Sequence, residues 1–266
     1  MSEALEWGAT CLDGKNGRGD ARRLLFSDLV TEGSDRDLTS EEFDRFKDRI
    51  QARMRGQPVA QIIGYRDFWK SRFIVTGDVL DPRPETEHII EAALTLPNVT
   101  RILDLGTGSG AIALSLAQEF PEAHVVATDI SRSALDIARQ NAEELDLTSR
   151  VTFVESCWYA TLSDTFDLIV SNPPYIAQDE MAELSASVRD FEPHLALTPG
   201  GDGLESYRII FEGAPEALRG RGDIILEHGA AQAKAVSDIA ENAGFFRQSL
   251  IRDLSGLDRV SHFCGK

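Results

Sequence analysis

Apolar positions along the chain follow two regimes. Up to about residue 55 they recur at helical spacing: "SEALEWGATCL", then "DARRLLFSDLV" after the Gly/Asn stretch "GKNGRG", then a segment opened by Thr39-Ser40-Glu41-Glu42, a capping-box pattern. From "PVAQIIGYRDFWKSRFIVTGDVLDPRPETE" the residues become β-branched and aromatic with Gly and Pro between them, which predicts a short hairpin joining two units. Beyond residue 88, short apolar runs such as "RILDLG", "HVVATDI", "VTFVES", "FDLIVS" and "DIILEHG" alternate with helical segments such as "SRSALDIARQNAEEL", "GLESYRIIFEGAPEAL" and "AQAKAVSDIAENAG"; strands around "SLIRDL" and "RVSHFCG" end the chain. Strand and helix in alternation predict an α/β fold, a doubly wound and mostly parallel sheet covered on both faces. The expected division is a helical domain at 1–59, a hairpin linker at 60–84 and the α/β domain at 85–266.

Composition narrows the function classes. No apolar run approaches the roughly 20 residues of a membrane helix, and "MSEALEWGAT" lacks a basic region followed by an apolar one, so neither a membrane nor a secretion signal is expected. Cys11, Cys157 and Cys264 form no CxxC pair, which suits a reducing cytoplasm, and neither they nor the five dispersed histidines suggest a metal site. The net charge of −17 sits almost wholly after residue 80, where 14 Lys and Arg face 30 Asp and Glu. That argues against a broad phosphate-binding surface and hence against direct nucleic-acid contact.

Candidate chemistry lies where two strands end. In "LDLGTGSGA", residues 103–111, glycines between a strand and a helix let the backbone approach a ligand and present N–H groups to it. Gly106-x-Gly108-x-x-Ala111 satisfies a relaxed dinucleotide fingerprint, while Gly106-x-Gly108-x-Gly110 is the pattern of S-adenosylmethionine enzymes; the loop alone leaves both open. Both readings require an acid after the second strand for ribose hydroxyls. Asp129 stands there, where it is also suited to cap the helix from Ser131. Ser109 is no nucleophile elbow, because Thr107 occupies the position that would need glycine.

The second place is Asn172-Pro173-Pro174-Tyr175, which halts "FDLIVS". Prolines cannot donate ladder hydrogen bonds, so the run ends the strand and leaves carbonyls as acceptors. Asn172 adds a side-chain carbonyl, and Tyr175 a flat face. Such a set recognises a planar group bearing NH2: two acceptors hold its hydrogens and aim the nitrogen lone pair at an electrophile. A nicotinamide oxidoreductase would explain Gly106, Gly108 and Asp129 but not this motif.

The "NPPY" run resembles that of amino-methyltransferases, and with "PVAQIIGYRDFW", "PRPETE", "LDLGTGSGAIALSLA", "ATDIS", "DFEPHLAL" and "GLESYR" the chain resembles, over essentially its whole length, the release-factor glutamine methyltransferase (PrmC/HemK) family. The resemblance implies a seven-stranded class I methyltransferase (Rossmann-like) domain with an N-terminal helical substrate-docking domain. It further implies methyl transfer from S-adenosylmethionine, leaving S-adenosylhomocysteine and needing no metal, to the glutamine amide nitrogen of the Gly-Gly-Gln motif in class I peptide chain release factors. Gly106, Thr107, Gly108, Ser109 and Gly110 match the family's cofactor loop, Asp129 its ribose acid and Trp158 an adenine-side contact. Asn172, Pro173, Pro174 and Tyr175 match the substrate clamp; Asn172, Pro173 and Tyr175 carry the catalysis, and Asn172 also adjoins the donor. Cys157 departs from the pattern, standing where an acid is expected before Trp158. Glu85 and Glu87 are candidates for the methionine ammonium or for helix capping, Arg83 for a hinge ion pair, and "TPGGDG" for a mobile loop remote from chemistry. The competing reading is a nucleic-acid amino-methyltransferase of the adenine N6 type, disfavoured by the acidic α/β domain and the lack of a basic target-recognition region.

Overall fold

The computed structural model describes residues 1–12, 16–29 and 36–265, which gather into two compact units: Met1–Tyr65 with Leu184–Phe191, and Arg66–Glu183 with Glu192 onward. Gly14 and Lys15 of the first expected loop and Val30 at the end of the second expected helix lie outside the described residues.

The first unit holds helices α1 (Ser2–Cys11), α2 (Gly17–Phe26), α3 (Ser40–Met54) and α4 (Val59–Ile63). Ala21, Leu24, Leu25, Phe46 and Ile50 are fully buried between them. A Cβ on Gly8 would lie 2.7 Å from Phe46 Cζ, so glycine there sets how closely α1 approaches α3. The capping box of α3 is complete: Glu42 N donates to Thr39 Oγ1 at 3.2 Å and Thr39 N to Glu42 Oε2 at 2.8 Å. Residues 59–63, expected to be extended, are helical. Pro58 enters with φ −58°, and Gly64 ends the turn at φ +87° with its N–H on Ala60 O. A five-residue run with three β-branched residues, Val59, Ile62 and Ile63, is too short for periodicity to separate strand from buried helix, and its flanking Pro and Gly decide it.

In the second unit, β1 (Tyr65–Phe68) and β2 (Ser71–Ile74) form a two-stranded sheet. Phe68 and Phe73 are buried edge to face, 6.0 Å apart, in the same cluster as Ile89 and Ile90. Trp69 donates its backbone N–H to Glu87 Oε1 and its indole N–H to Glu119 Oε1. The hairpin is thus built into the core of this unit.

A 3-10 turn at Pro84–Thr86 leads into α5 (Glu87–Ala93), and then come β3 (Arg101–Leu105), α6 (Ala111–Glu119), β4 (His124–Asp129), α7 (Arg132–Glu144), β5 (Val151–Glu155) and β6 (Phe166–Ser171). After the short helices α8 (Ala186–Arg189), which belongs to the first unit, and α9 (His194–Leu197), the chain continues through α10 (Glu205–Ala217), β7 (Leu218–Glu227), α11 (Ala233–Asn242), β8 (Phe245–Arg252) and β9 (Asp258–Gly265). The strands form one seven-stranded sheet in the order β5-β4-β3-β6-β7-β9-β8, with the first five parallel and β9 antiparallel to both its neighbours. Alternate residues serve opposite faces: Ile102, Leu168 and Val170 in one core cluster, Leu103, Leu105 and Ile169 in the other. This is the doubly wound α/β fold expected from the sequence. Strand order reverses between β3 and β6, so the loops after those strands open side by side at the carboxyl edge, where such sheets bind ligands. Asp167 Oδ2 pins that pair by accepting from Thr100 N, Thr100 Oγ1 and Arg101 N.

Candidate active site

After β3 the chain must turn sharply, and three glycines permit it: Gly106, Gly108 and Gly110 take φ of +73°, +56° and +82°. Their surroundings divide their roles. No atom lies within 4 Å of a Cβ built on Gly106 or Gly108, whereas one on Gly110 would lie 3.1 Å from Leu114 Cδ1 and 3.2 Å from Ala138 Cβ. Gly110 therefore serves close packing at the start of α6, while Gly106 and Gly108 border open space. The loop is fastened from three sides. Gly106 N and Thr107 N donate to Thr128 O, Gly108 N donates to Asp129 Oδ2, and Ser109 O accepts from Asn141 Nδ2.

Asp129 does more than end β4. Its Oδ1 accepts from Ser131 N at 2.8 Å while Oδ2 holds Gly108, so one carboxylate joins the glycine loop to the next turn. Burial raises its pKa, and these N–H donors oppose the rise. Each oxygen keeps lone pairs for a further donor. The cap of α7 is Ser131, whose Oγ accepts from Ala134 N, not Asp129.

A cavity of about 360 Å³ runs along this edge, bordered by the glycine loop, Asp129, Ile130, Cys157, Trp158, Asn172 and Pro174. Trp158 is held at φ +53° by Ser156 Oγ, which donates to its carbonyl oxygen. Exposed Ile130, which sequence reasoning passed over, adds an apolar wall. Cys157 lines the cavity where the resemblance led us to expect an acid.

The motif after β6 is anchored from behind. Pro174 O accepts from Ser206 Oγ at 2.8 Å, and Tyr175 O accepts from Gln232 Nε2 at 2.8 Å. Of the run's free carbonyls expected from sequence, these two are occupied and Pro173 O remains. Asn172 and Pro174 border the cavity; Pro173 and Tyr175 are not among its lining residues. Tyr175 leans on the core beneath α10, and burial, with Glu227 nearby, pushes its hydroxyl up to about 12, so it stays protonated. Asn172 Nδ2 donates to Thr86 Oγ1 at 3.2 Å, which fixes its amide and leaves Oδ1 as the acceptor.

Several sequence readings change. "TPGGDG" is not remote from the site: Thr198 and Pro199 line the cavity, Gln178 N donates to Gly201 O, and any side chain on Gly203 would collide with Tyr175 O. Glu85 and Glu87 do not line the cavity and do not cap α5; Glu87 holds Trp69 instead. Arg83 lines it and donates from Nη2 to both carboxylate oxygens of buried Glu192 at 2.6 and 2.7 Å, an ion pair inside the α/β unit. Two buried acids went unread. Asp104, on β3, accepts from Thr107 Oγ1 at 2.6 Å, and burial pushes it up to about 7; its other oxygen has no partner. Glu227, at the end of β7, accepts from Thr86 Oγ1 at 2.6 Å and is likewise pushed by burial to about 7. The signal available for Asp104 was a carboxylate inside the apolar run "ILDL".

Residues 86–202 match the family model "Methyltransferase small domain". The chain is 51% identical, over 91% of its length and 88% of the relative's, to the release factor glutamine methyltransferase of Cereibacter sphaeroides. The chain belongs to the release factor glutamine methyltransferase family. The corresponding protein of Neisseria gonorrhoeae is 45% identical over 88% of this chain and 85% of its own. Among solved structures, a methyltransferase from Pyrococcus furiosus aligns with TM-score 0.55 at 21% identity, covering 73% of this chain and 89% of that one, which supports the fold. Among the described residues no helix is long and apolar enough to cross a membrane, and no three His, Cys, Asp or Glu side chains gather as a metal-ligand set.

Proposed function

We propose that this chain methylates the side-chain amide nitrogen of the glutamine in the Gly-Gly-Gln motif of class I peptide chain release factors, using S-adenosylmethionine, in the cytoplasm where those factors act. The observation that carries the reading is the fixed amide of Asn172, its NH2 committed to Thr86 and its Oδ1 left as an acceptor at the border of a cavity that also abuts the glycine loop.

The residues fit the donor. Open space over Gly106 and Gly108, lone pairs on Asp129 for ribose hydroxyls and the apolar walls of Ile130 and Trp158 suit a nucleoside bearing a short charged tail. Thr107 and Ser109 are buried within the loop and shape its backbone. The bound donor supplies a methyl group on a positively charged sulfur.

The substrate amide is a weak nucleophile because its lone pair is delocalised into its carbonyl. Asn172 Oδ1 and Pro173 O accept its two N–H hydrogens and fix its rotation, so that the nitrogen meets the methyl in line. Positive charge grows on nitrogen as the N–C bond forms and the S–C bond breaks, which strengthens both acceptor contacts in the transition state above the ground state. The extra proton then leaves to water. Tyr175, protonated and half-buried against the core, contributes a rigid aromatic support at the motif.

Incubation with S-adenosylmethionine and a class I release factor, followed by peptide mapping, tests the reading. One methyl on the Gly-Gly-Gln glutamine is expected. An unmodified release factor, with S-adenosylhomocysteine bound normally, would overturn it.

A further inference from the structure

We infer that Thr86 and Glu227 are positioning residues that dictate which end of the Asn172 amide faces the substrate; the inference rests on the reaction proposed above. The oxygen and NH2 of an asparagine side chain are nearly equal in shape, so only hydrogen-bond partners select between the two orientations. The wrong one would set an NH2 against the substrate's own NH2.

The selection runs through one hydroxyl. Thr86 Oγ1 has a single hydrogen, and it goes to Glu227 Oε2 at 2.6 Å. Only lone pairs then remain toward Asn172, which must answer with a donor, as Nδ2 does at 3.2 Å. An ionised carboxylate only accepts, so it enforces this polarity. A protonated Glu227 can donate to Thr86 instead, releasing the hydroxyl hydrogen toward Asn172 and favouring the flipped amide. Thr86 and Glu227 are 4% and 2% exposed, which keeps water from substituting for either.

The groups facing Glu227 leave that control in its hands. Arg259 on β9 and Arg83 before the 3-10 turn favour its charge, while Glu85 opposes it. Arg259 is itself engaged by Asp253 at 2.9 Å and Arg83 by Glu192. Tyr207 donates to the backbone oxygen of Glu227, not to its carboxylate, and Tyr175 lies near without a hydrogen bond to it. Because burial holds Glu227 near 7, turnover should fall on the acid side of neutrality.

The test uses the full chain and compares wild type with Thr86→Val, Thr86→Ser and Glu227→Gln. Thr86→Val should lower kcat by about 10²-fold, the scale of one lost preorganised contact, while affinity for S-adenosylhomocysteine and KM for the release factor stay within about threefold, and Thr86→Ser should restore most of kcat. Glu227→Gln should abolish the acid limb of kcat. Asp104 also titrates near 7, so a limb that survives in Glu227→Gln would belong to Asp104 and overturn the inference, as would wild-type kcat in Thr86→Val. The side-chain amide signals of Asn172 in ¹⁵N–¹H spectra give a readout without turnover: they should titrate near 7 in wild type and stay fixed in Glu227→Gln. If wild type binds S-adenosylhomocysteine but methylates nothing, the proposed reaction fails and these spectra alone decide the relay.

Discussion

Two buried carboxylates sit near the carboxyl ends of β3 and β7, two strands of the same sheet with β6 between them, each 2.6 Å from a threonine hydroxyl and each pushed by burial to about 7. They differ in reach. Asp104 and Thr107 lie three residues apart, and their bond tightens the turn that carries Gly106 and Gly108. Thr86 and Glu227 are separated by 141 positions, and their bond fastens the entrance of α5 to the end of β7 and, through Thr86, to Asn172. The same pair of functional groups thus serves a local turn in one place and a long-range clamp in the other. In the proposed reaction the first pair serves the cofactor loop and the second the orientation of the substrate.

The largest expected effect tests that assignment. Asn172→Ala should cut kcat by about 10²–10³-fold, as losing a preorganised polar contact at a reacting group does, with affinity for S-adenosylhomocysteine falling far less by calorimetry. Wild-type turnover in this variant would remove the clamp from the mechanism. Thr107→Val should show the opposite split, weakening S-adenosylhomocysteine more than it lowers kcat. Equal effects of Thr107→Val and Thr86→Val on both quantities would erase the distinction between the two pairs.

Next comes pH. Asp104 rises from 3.8 and Glu227 from 4.5 to about 7, so the native state holds protons there that the unfolded chain releases. The stability this gives is full below the unfolded values and is lost as pH rises through about 7, by roughly 3–4 kcal/mol for each group. Urea unfolding across that window should show the decline, and Asp104→Asn or Glu227→Gln should each remove its share. A flat profile in wild type would mean that neither carboxylate is held up by burial.

Legibility in the sequence follows the same divide between local and distant partners. The glycine loop, Asp129 and the Asn-Pro-Pro-Tyr turn could be read because each is a contiguous pattern with one physical demand: positive φ, an acid after a strand, a strand that cannot continue. The strand–helix alternation likewise fixed the sheet's character, since fully apolar runs need cover on both faces. Thr86, Glu227, Ser206 and Gln232 were invisible because each acquires its role from a partner far along the chain that only the closed sheet brings near. Residues 59–63 misled for a different reason: β-branched content favours strand, but Pro58 and Gly64 bracket a single helical turn whose Val59 is buried in the helical core.

A smaller effect separates the glycines. Gly108→Ala places a Cβ in open space at φ +56°, so the cost is conformational, roughly 1–2 kcal/mol for a left-handed residue, and S-adenosylhomocysteine affinity should fall about tenfold or more where the methyl meets the ligand. Gly110→Ala meets Leu114 and Ala138 instead, and should lower thermal stability more than affinity. Matching losses in both variants would argue that Gly108 packs against protein and not against ligand.

The smallest effect comes from a third threonine and carboxylate, Thr39 and Glu42, on the surface of the helical unit. Here the threonine oxygen accepts from the backbone of Glu42, and the carboxylate accepts from the backbone of Thr39. Glu42 is partly exposed and bonded to Arg36, so its pKa moves the other way, down to about 2. Its contribution is therefore present above the unfolded value of 4.5 and lost as pH falls toward about 2, opposite in sign and window to the buried pairs. Thr39→Ala should cost about 1 kcal/mol, the usual worth of an N-cap, and leave kcat and S-adenosylhomocysteine affinity unchanged. A drop in kcat from this variant would show that the helical unit bears on turnover, because both bonds between Thr39 and Glu42 lie within the cap of α3.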